Sequence, residues 1–292
     1  MSIFLQLLIN GVIAGAIYAL VSAGFSLIYS TNKFVHFAHG GVIALSAYFF
    51  FWIISNLNLS LAVTVLSTVL FSALLGYLFN KVFYKPLRAK KSSSLILFVA
   101  SIAVLILSES LALLFFGANA KTIDLIQNNQ VMEMAGAVIT PLQLIIILVA
   151  LLLLLGLYLF MKKTRIGKAM RAVADNKEVA EIIGISAEKI YSWSFVVGSA
   201  IAGIAAILIS LEQNIEPTMG TSLMVKGFIS AIIGGIGSVP GAILGSFSLG
   251  LTENFGIWFL PSGYKDAIAF MLLFVFLLFR PQGILGIKNN QK

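Results

Sequence analysis

This sequence contains no cysteine, and only two of its 292 residues are histidine and six are proline. Charged residues make up 10% of the chain, against about 25% in an ordinary soluble domain. The missing cysteines exclude a disulfide framework, a thiolate metal site and a Cys nucleophile. The scarcity of charge excludes a soluble globular enzyme, because too few polar side chains remain to cover its surface. What is abundant is apolar. Hydrophobic residues make up 60% of the chain, 23 residues are Phe, and the mean hydropathy is +1.03. Disordered chains are poor in such residues, so the composition predicts an integral membrane protein.

A helix needs ~20 residues to cross the hydrocarbon. Candidate spans lie at about 3–29, 42–57, 60–80, 95–116, 141–161, 192–211 and 264–280. No basic residue precedes Lys33, and the run from Ile3 to Tyr29 is too long for a signal peptide's apolar region, so it reads as a retained first span. The stretch 227–251 is apolar but broken by Gly234, Gly235, Gly237, Pro240 and Gly241, which predicts two short half-helices. Gly237, Gly241 and Gly245 recur at four-residue spacing, which allows close helix approach. The fold class is therefore all-α, a polytopic membrane bundle of about eight segments with Gly/Pro-broken helices. No shift in composition marks a second domain, so residues 1–292 read as one transmembrane domain.

Fifteen of the 19 basic residues fall in three places: 81–91, 162–191 and the tail from Arg280. By the positive-inside rule these are cytoplasmic, and 117–140 and 212–226 are outside. A hairpin at 227–251 is then needed to bring the basic tail inside. The net charge of +8 sits beside membrane spans, where anionic lipid headgroups and orientation account for it. No groove-reading or stacking module argues for nucleic acid.

Three segments stand out. In Val35-His36-Phe37-Ala38-His39-Gly40-Gly41, two imidazoles and two glycines separate the first two spans. A metal site there lacks further ligands. A polar helix junction or a broken helix lining a substrate path both fit. The glycine-rich break Gly234-Gly235-Ile236-Gly237 is the second. It is not a nucleotide loop, since no Walker motif occurs in the chain. Gly/Pro interruptions in both halves of a transporter point to its substrate path. This makes His36, Phe37, His39, Gly40, Gly234, Gly235 and Gly237 pathway candidates. The third segment is 165–186. Asp175 and Glu178 resemble an N-capping arrangement, Val179, Ile182 and Ile183 form one apolar face, and Gly184 is a helix stop. That predicts a two-turn cytoplasmic helix, too short to be stable undocked. Glu109 lies inside the fourth span, as a proton relay, a substrate contact or a paired structural acid. Glu212, Glu216, Glu253 and Asp266 read as interfacial.

At these segments the chain resembles the permease subunit of bacterial ATP-binding-cassette importers for branched-chain amino acids, the H-type subunit of the Liv system. The similar pieces are VHFAHGGVIALSAY at 35–48, RIGKAMRAVADNKEVAEIIGIS at 165–186, IIGGIGSVPGAILG at 232–245 and FRPQGILG at 279–286. The family commonly has Asn where His36 stands here. The resemblance implies a single permease domain in the bacterial inner membrane, with a coupling loop at about 162–191. It also implies a second permease subunit, identical or homologous, two cytoplasmic ATPase subunits and an extracytoplasmic substrate-binding protein. Gly167, Arg171, Ala172, Asn176, Ala180, Ile182, Gly184 and Ile185 are the implied ATPase-coupling residues. No cofactor belongs to this chain, since ATP is used by the partner subunits. It is not itself an enzyme. The implied cargo is branched-chain or other hydrophobic amino acids. A permease for urea or short amides, or a stand-alone ion-coupled transporter, are the alternatives.

Overall fold

The computed structural model describes residues 2–57, 59–123, 132–134 and 136–286. Asp124 of the expected outer loop, and Lys288 and Lys292 of the tail, lie outside the described residues. The long apolar stretches all form helices. In chain order these are α1 (Ser2–Asn32), α2 (Ala38–Asn56) and α3 (Leu61–Phe79), then a π-helical turn (Asn80–Tyr84), α4 (Lys85–Ala89) and α5 (Ser94–Phe116). A small antiparallel hairpin follows, β1 (Met132–Met134) with β2 (Ala137–Ile139), Glu133 opposite Val138. Then come α6 (Pro141–Lys163), α7 (Arg165–Asp175), α8 (Lys177–Ile182), α9 (Ala187–Glu212), α10 (Met219–Gly234), α11 (Val239–Gly256) and α12 (Lys265–Phe279). Among the described residues, seven helical segments are long and apolar enough to cross a membrane, and α10 with α11, bent by 113°, makes an eighth if the pair counts as one span. The expected all-α bundle of about eight segments is what the chain forms.

Two segments differ most from the sequence reading. The third span does not stop near residue 80 but runs on through the π-helical turn to Ala89. Lys81 and Lys85 continue it without penalty because both side chains are exposed and leave the helix at its polar end. The broken stretch is longer than 227–251, because α10 starts at Met219 and α11 ends at Gly256. Ser238 caps α11 through the Gly241 N–H, and Pro240 sits in its first turn, where a missing N–H costs nothing.

The chain packs as two compact units, and the division falls within α1, α6 and α10. The first comprises Met1–Ser26, Asp124–Leu154 and Val225–Lys292. Here Gly11 and Gly15 of α1 meet α11 so closely that an added side-chain carbon would lie 3.0 Å from the Cα of Leu251 or Phe247. The glycine spacing of the hairpin has the same use. Gly241 faces the Gly234 carbonyl and Gly245 the Ser230 carbonyl, so α10 and α11 touch backbone to backbone. At the tip, Gly235 has φ of +109°, a conformation open to glycine and costly for other residues. The tail returns onto this tip. The N–H groups of Ile284 and Leu285 donate to the carbonyls of Ile233 and Gly234, both at 2.8 Å. These carbonyls end α10 and have no partner within the helix, so the tail satisfies them.

The second unit comprises Leu27–Ile123 and Leu155–Met224. Its core is α9 with α2. α3 lies along α9, with Gly76 against Ser199 and Gly203 against Ser72. α5 lies along α2, with Ser108 filling the space beside Gly41. Small residues at each crossing let the apolar helices of a membrane protein pack by van der Waals contact rather than by a hydrophobic drive.

Candidate functional site

In the second unit, residues 33–37 break the path between α1 and α2, so the expected helix break near residue 38 is present. α5 holds this connector. Ser101 Oγ accepts from the Phe37 N–H at 3.1 Å and donates to the Val35 carbonyl at 3.2 Å. His36 is fully buried among Phe34, Tyr84 and Phe195, and its Nδ1 pairs with Tyr84 Oη at 3.0 Å. Burial, and then the neighbouring His39, hold the His36 imidazole well below its ordinary pKa, so the ring is neutral. His36 and His39 lie near each other, ring centroids 6.2 Å apart. Among the described residues no three His, Asp or Glu side chains gather into a metal-holding group.

His39 and Gly40 stand in the first turn of α2. Gly40 crosses the start of α10 at Gly220, where an added side-chain carbon would meet the Gly220 carbonyl oxygen at 2.5 Å. Only glycine on both sides permits that crossing. One residue beyond Ser108 on α5 and Gly220 on α10, Glu109 Oε1 accepts from Thr221 Oγ1 at 2.6 Å. Glu109 also faces an open cavity of about 420 Å³, lined with Ile106, Leu113, Glu216, Pro217 and Thr218. The structure thus brings His36, Phe37, His39, Gly40 and Glu109 into one unit, on three elements that meet at glycines and serines. Gly234, Gly235 and Gly237 belong to the other unit, where Gly234 and Gly235 pack on α11 and on the tail.

The segment 165–186 forms two helices where the sequence predicts one. α7 is anchored to the unit by buried Met170 and Val173, and Gly167 lies against the backbone of Phe160 and Met161. The N-cap of α8 is Asn176, not Asp175. Asp175 ends α7, and Asn176 turns extended (φ −146°, ψ 108°), its side chain accepting from the Val179 N–H at 3.1 Å. Asn competes for backbone donors more effectively at a helix junction than an acid still inside the preceding helix. Gly184 does stop the helix, at φ +88°, with its N–H bonded to the Glu181 carbonyl and the Ile185 N–H to that of Ala180. Ala180 is buried inward. Val179, Ile182 and Ile183 face out, 53%, 83% and 68% exposed. Arg171 is exposed on α7, and Ala172 and Ile185 are half-buried.

Sequence reasoning misses a second polar cluster, in the first unit. Glu253 is no interfacial acid. It is completely buried, accepts from Tyr18 Oη at 2.8 Å, and pairs with Lys226 Nζ at 3.1 Å. Lys226 Nζ also reaches Asp266 at 3.2 Å. Lys226 stands alone among the apolar residues of α10, and that isolated charge is the signal that could have found it.

The chain matches the family described as branched-chain amino acid transport system / permease component over residues 7–277. It is 35% identical to the high-affinity branched-chain amino acid transport system permease protein BraD of Pseudomonas aeruginosa, covering 99% of this chain and 98% of that one. It is 33% identical to the corresponding LivH protein of Escherichia coli K12, covering 99% and 97%. A probable LivH of Methanocaldococcus jannaschii is 28% identical over 97% and 92%. No solved structure matches. End-to-end likeness, together with eight apolar segments, identifies this chain as a membrane transport protein belonging to the family of branched-chain amino acid transport system permease components.

Proposed function

We propose that the chain is the permease subunit of an ATP-binding-cassette importer in the bacterial inner membrane, moving branched-chain or other hydrophobic amino acids. The observation that carries this beyond family membership is the outward apolar face of α8. Val179 and Ile182 of the six-residue α8, and Ile183 that caps its end, are exposed. A helix that short holds its shape only when packed, and an apolar face in water asks for a partner. Two cytoplasmic ATPase subunits take that face, with Gly167, Arg171, Ala172, Asn176, Ala180, Gly184 and Ile185 shaping it. A second permease subunit completes the path, and an extracytoplasmic binding protein delivers cargo. ATP stays on the partner subunits. The whole chain acts as one permease domain. Cargo passes by the helix break at His36, Phe37, His39 and Gly40, by Glu109, and by the hairpin break at Gly234, Gly235 and Gly237.

The basic stretches 81–91 and 162–191 and the tail face the cytoplasm. The tail's hydrogen bonds to Ile233 and Gly234 support this, because they put hairpin tip and tail on one side, as an out–in–out path through α10 and α11 requires. The test is reconstitution of the permease with its co-encoded ATPase subunits and binding protein in liposomes. ATP drives leucine accumulation, and Ser93→Cys, the sole cysteine, is labelled from the ATPase side only. Uptake driven by a proton gradient without ATPase, or ATP-driven uptake of urea in place of leucine, overturns the corresponding part.

A further inference from the structure

We propose that Arg88 is a positioning residue that ties the coupling segment to the third membrane span. The inference rests on the reading of 165–186 as the element that receives motion from the ATPases. α8 runs into α9 through only Ile183 to Ser186, and α9 carries Glu188 in its first turn. Arg88 grips that turn with a fork. Its Nη2 donates to Glu188 Oε1 at 2.8 Å and its Nε to Oε2 at 3.3 Å. Its guanidinium also lies 4.9 Å over the Tyr191 ring, one turn further along α9.

The same side chain reaches back into its own span. Arg88 Nη2 donates to Asn80 Oδ1 at 2.6 Å, and Asn80 Nδ2 donates to Ser192 Oγ at 3.0 Å. Asn80 and Tyr84 bound the π-helical turn, and Tyr84 pairs with His36 at the break between α1 and α2. A π-helical turn within a span is rare and marks functional positions more often than chance. Spacing of four puts Asn80, Tyr84 and Arg88 on one side of the span.

Arg88 differs from its neighbours. Lys81, Lys85, Lys90 and Lys91 are exposed, as bases serving orientation should be, while the Arg88 side chain is 14% exposed. A planar guanidinium fixes direction through two parallel bonds, where an ammonium supplies only a point charge. Displacement of the first turn of α9 is therefore carried into the third span, and from Tyr84 to the helix break at His36. Without Arg88 the ATPases still move α7 and α8 and α3 stays packed on α9 at Gly76 and Gly203, but the first turn of α9 is no longer tied to the end of the span that carries Asn80 and Tyr84.

The experiment uses the full complex in liposomes and reads leucine molecules transported per ATP hydrolysed, with the ATPase retained on the permease measured alongside. In Arg88→Gln the complex stays assembled and hydrolysis stays within about twofold of wild type, while the transport ratio falls by about tenfold or more. Arg88→Lys, which keeps the charge and loses the fork, shows most of the same fall. Exchange of the pair, Arg88→Glu with Glu188→Arg, recovers part of the ratio. Should Arg88→Gln not insert, Glu188→Gln keeps the arginine and must show the lowered ratio. An unchanged ratio in the inserted variants, or loss of assembly and hydrolysis with the ratio unchanged, overturns the proposal. Wild-type uptake that needs no ATP overturns instead the importer reading on which it rests.

Discussion

An Ile182→Glu permease inserts normally and loses its ATPase subunits. Ile182 is the most exposed of the three apolar residues of α8, at 83%, and it points away from the buried Ala180 that anchors the helix. The substitution therefore disturbs nothing inside the chain. Under the proposed assembly the same side chain is buried in an ATPase groove, where it removes apolar surface from water. A carboxylate there loses that gain and must also leave water unpaired, so affinity for the ATPase falls by roughly a hundredfold or more. Pull-down of the ATPase by the tagged permease, with substrate-stimulated hydrolysis, measures the loss. Full ATPase binding with normal stimulation would sink the coupling reading. The helix would then be covered by lipid or by nothing. Ala180→Glu is a different experiment, because it pushes a charge into the chain's own core and unfolds the segment.

Lys226→Met destabilises the permease itself. It leaves the Glu253 carboxylate, which no solvent reaches, with Tyr18 as its remaining hydrogen-bond donor among the described residues. Breaking a buried pair from one side costs ~3–5 kcal/mol because the other charge stays uncompensated. The double change Lys226→Met with Glu253→Gln removes both charges and leaves an amide oxygen to accept from Tyr18, so it regains most of that loss. Thermal unfolding in detergent and the yield of inserted protein report both. A single variant as stable as the double would show that the pair is not buried. The cluster joins α1, α10, α11 and α12, so the single variant loosens the hairpin where it meets its neighbours.

Much of this protein is a local property of its sequence. Hydropathy over ~20 residues decides a span, and every stretch long and apolar enough became a helix, most with ends close to those expected, the third span and the broken hairpin running longer. The Gly/Pro break was legible because Gly235 and Pro240 act on their own backbone. Gly184 ended α8 for the same reason. The apolar face of α8 follows from helical period alone, and the basic stretches follow from counting. Asn176 shows the limit even at short range. Asp175 and Asn176 both suit a cap, and the choice between them depends on where α7 ends, which its packing through Met170 and Val173 decides.

The polar clusters were decided by tertiary structure. Glu253 looks interfacial by position and is paired because Lys226, 27 residues earlier, lies across the hairpin from it. Arg88 looks like one of five orienting bases, and it differs only because Glu188, 100 residues later, comes within its reach. His36 finds Tyr84 across 48 residues, and a π-helical turn lies between Tyr84 and Asn80. A helix period says which residues share a face. It does not say which helix that face meets, or at what height. In a membrane nearly every face is apolar, so the hydrophobic pattern carries little of that information, and small residues with single polar side chains settle the pairing. Those contacts exist only once the helices are side by side.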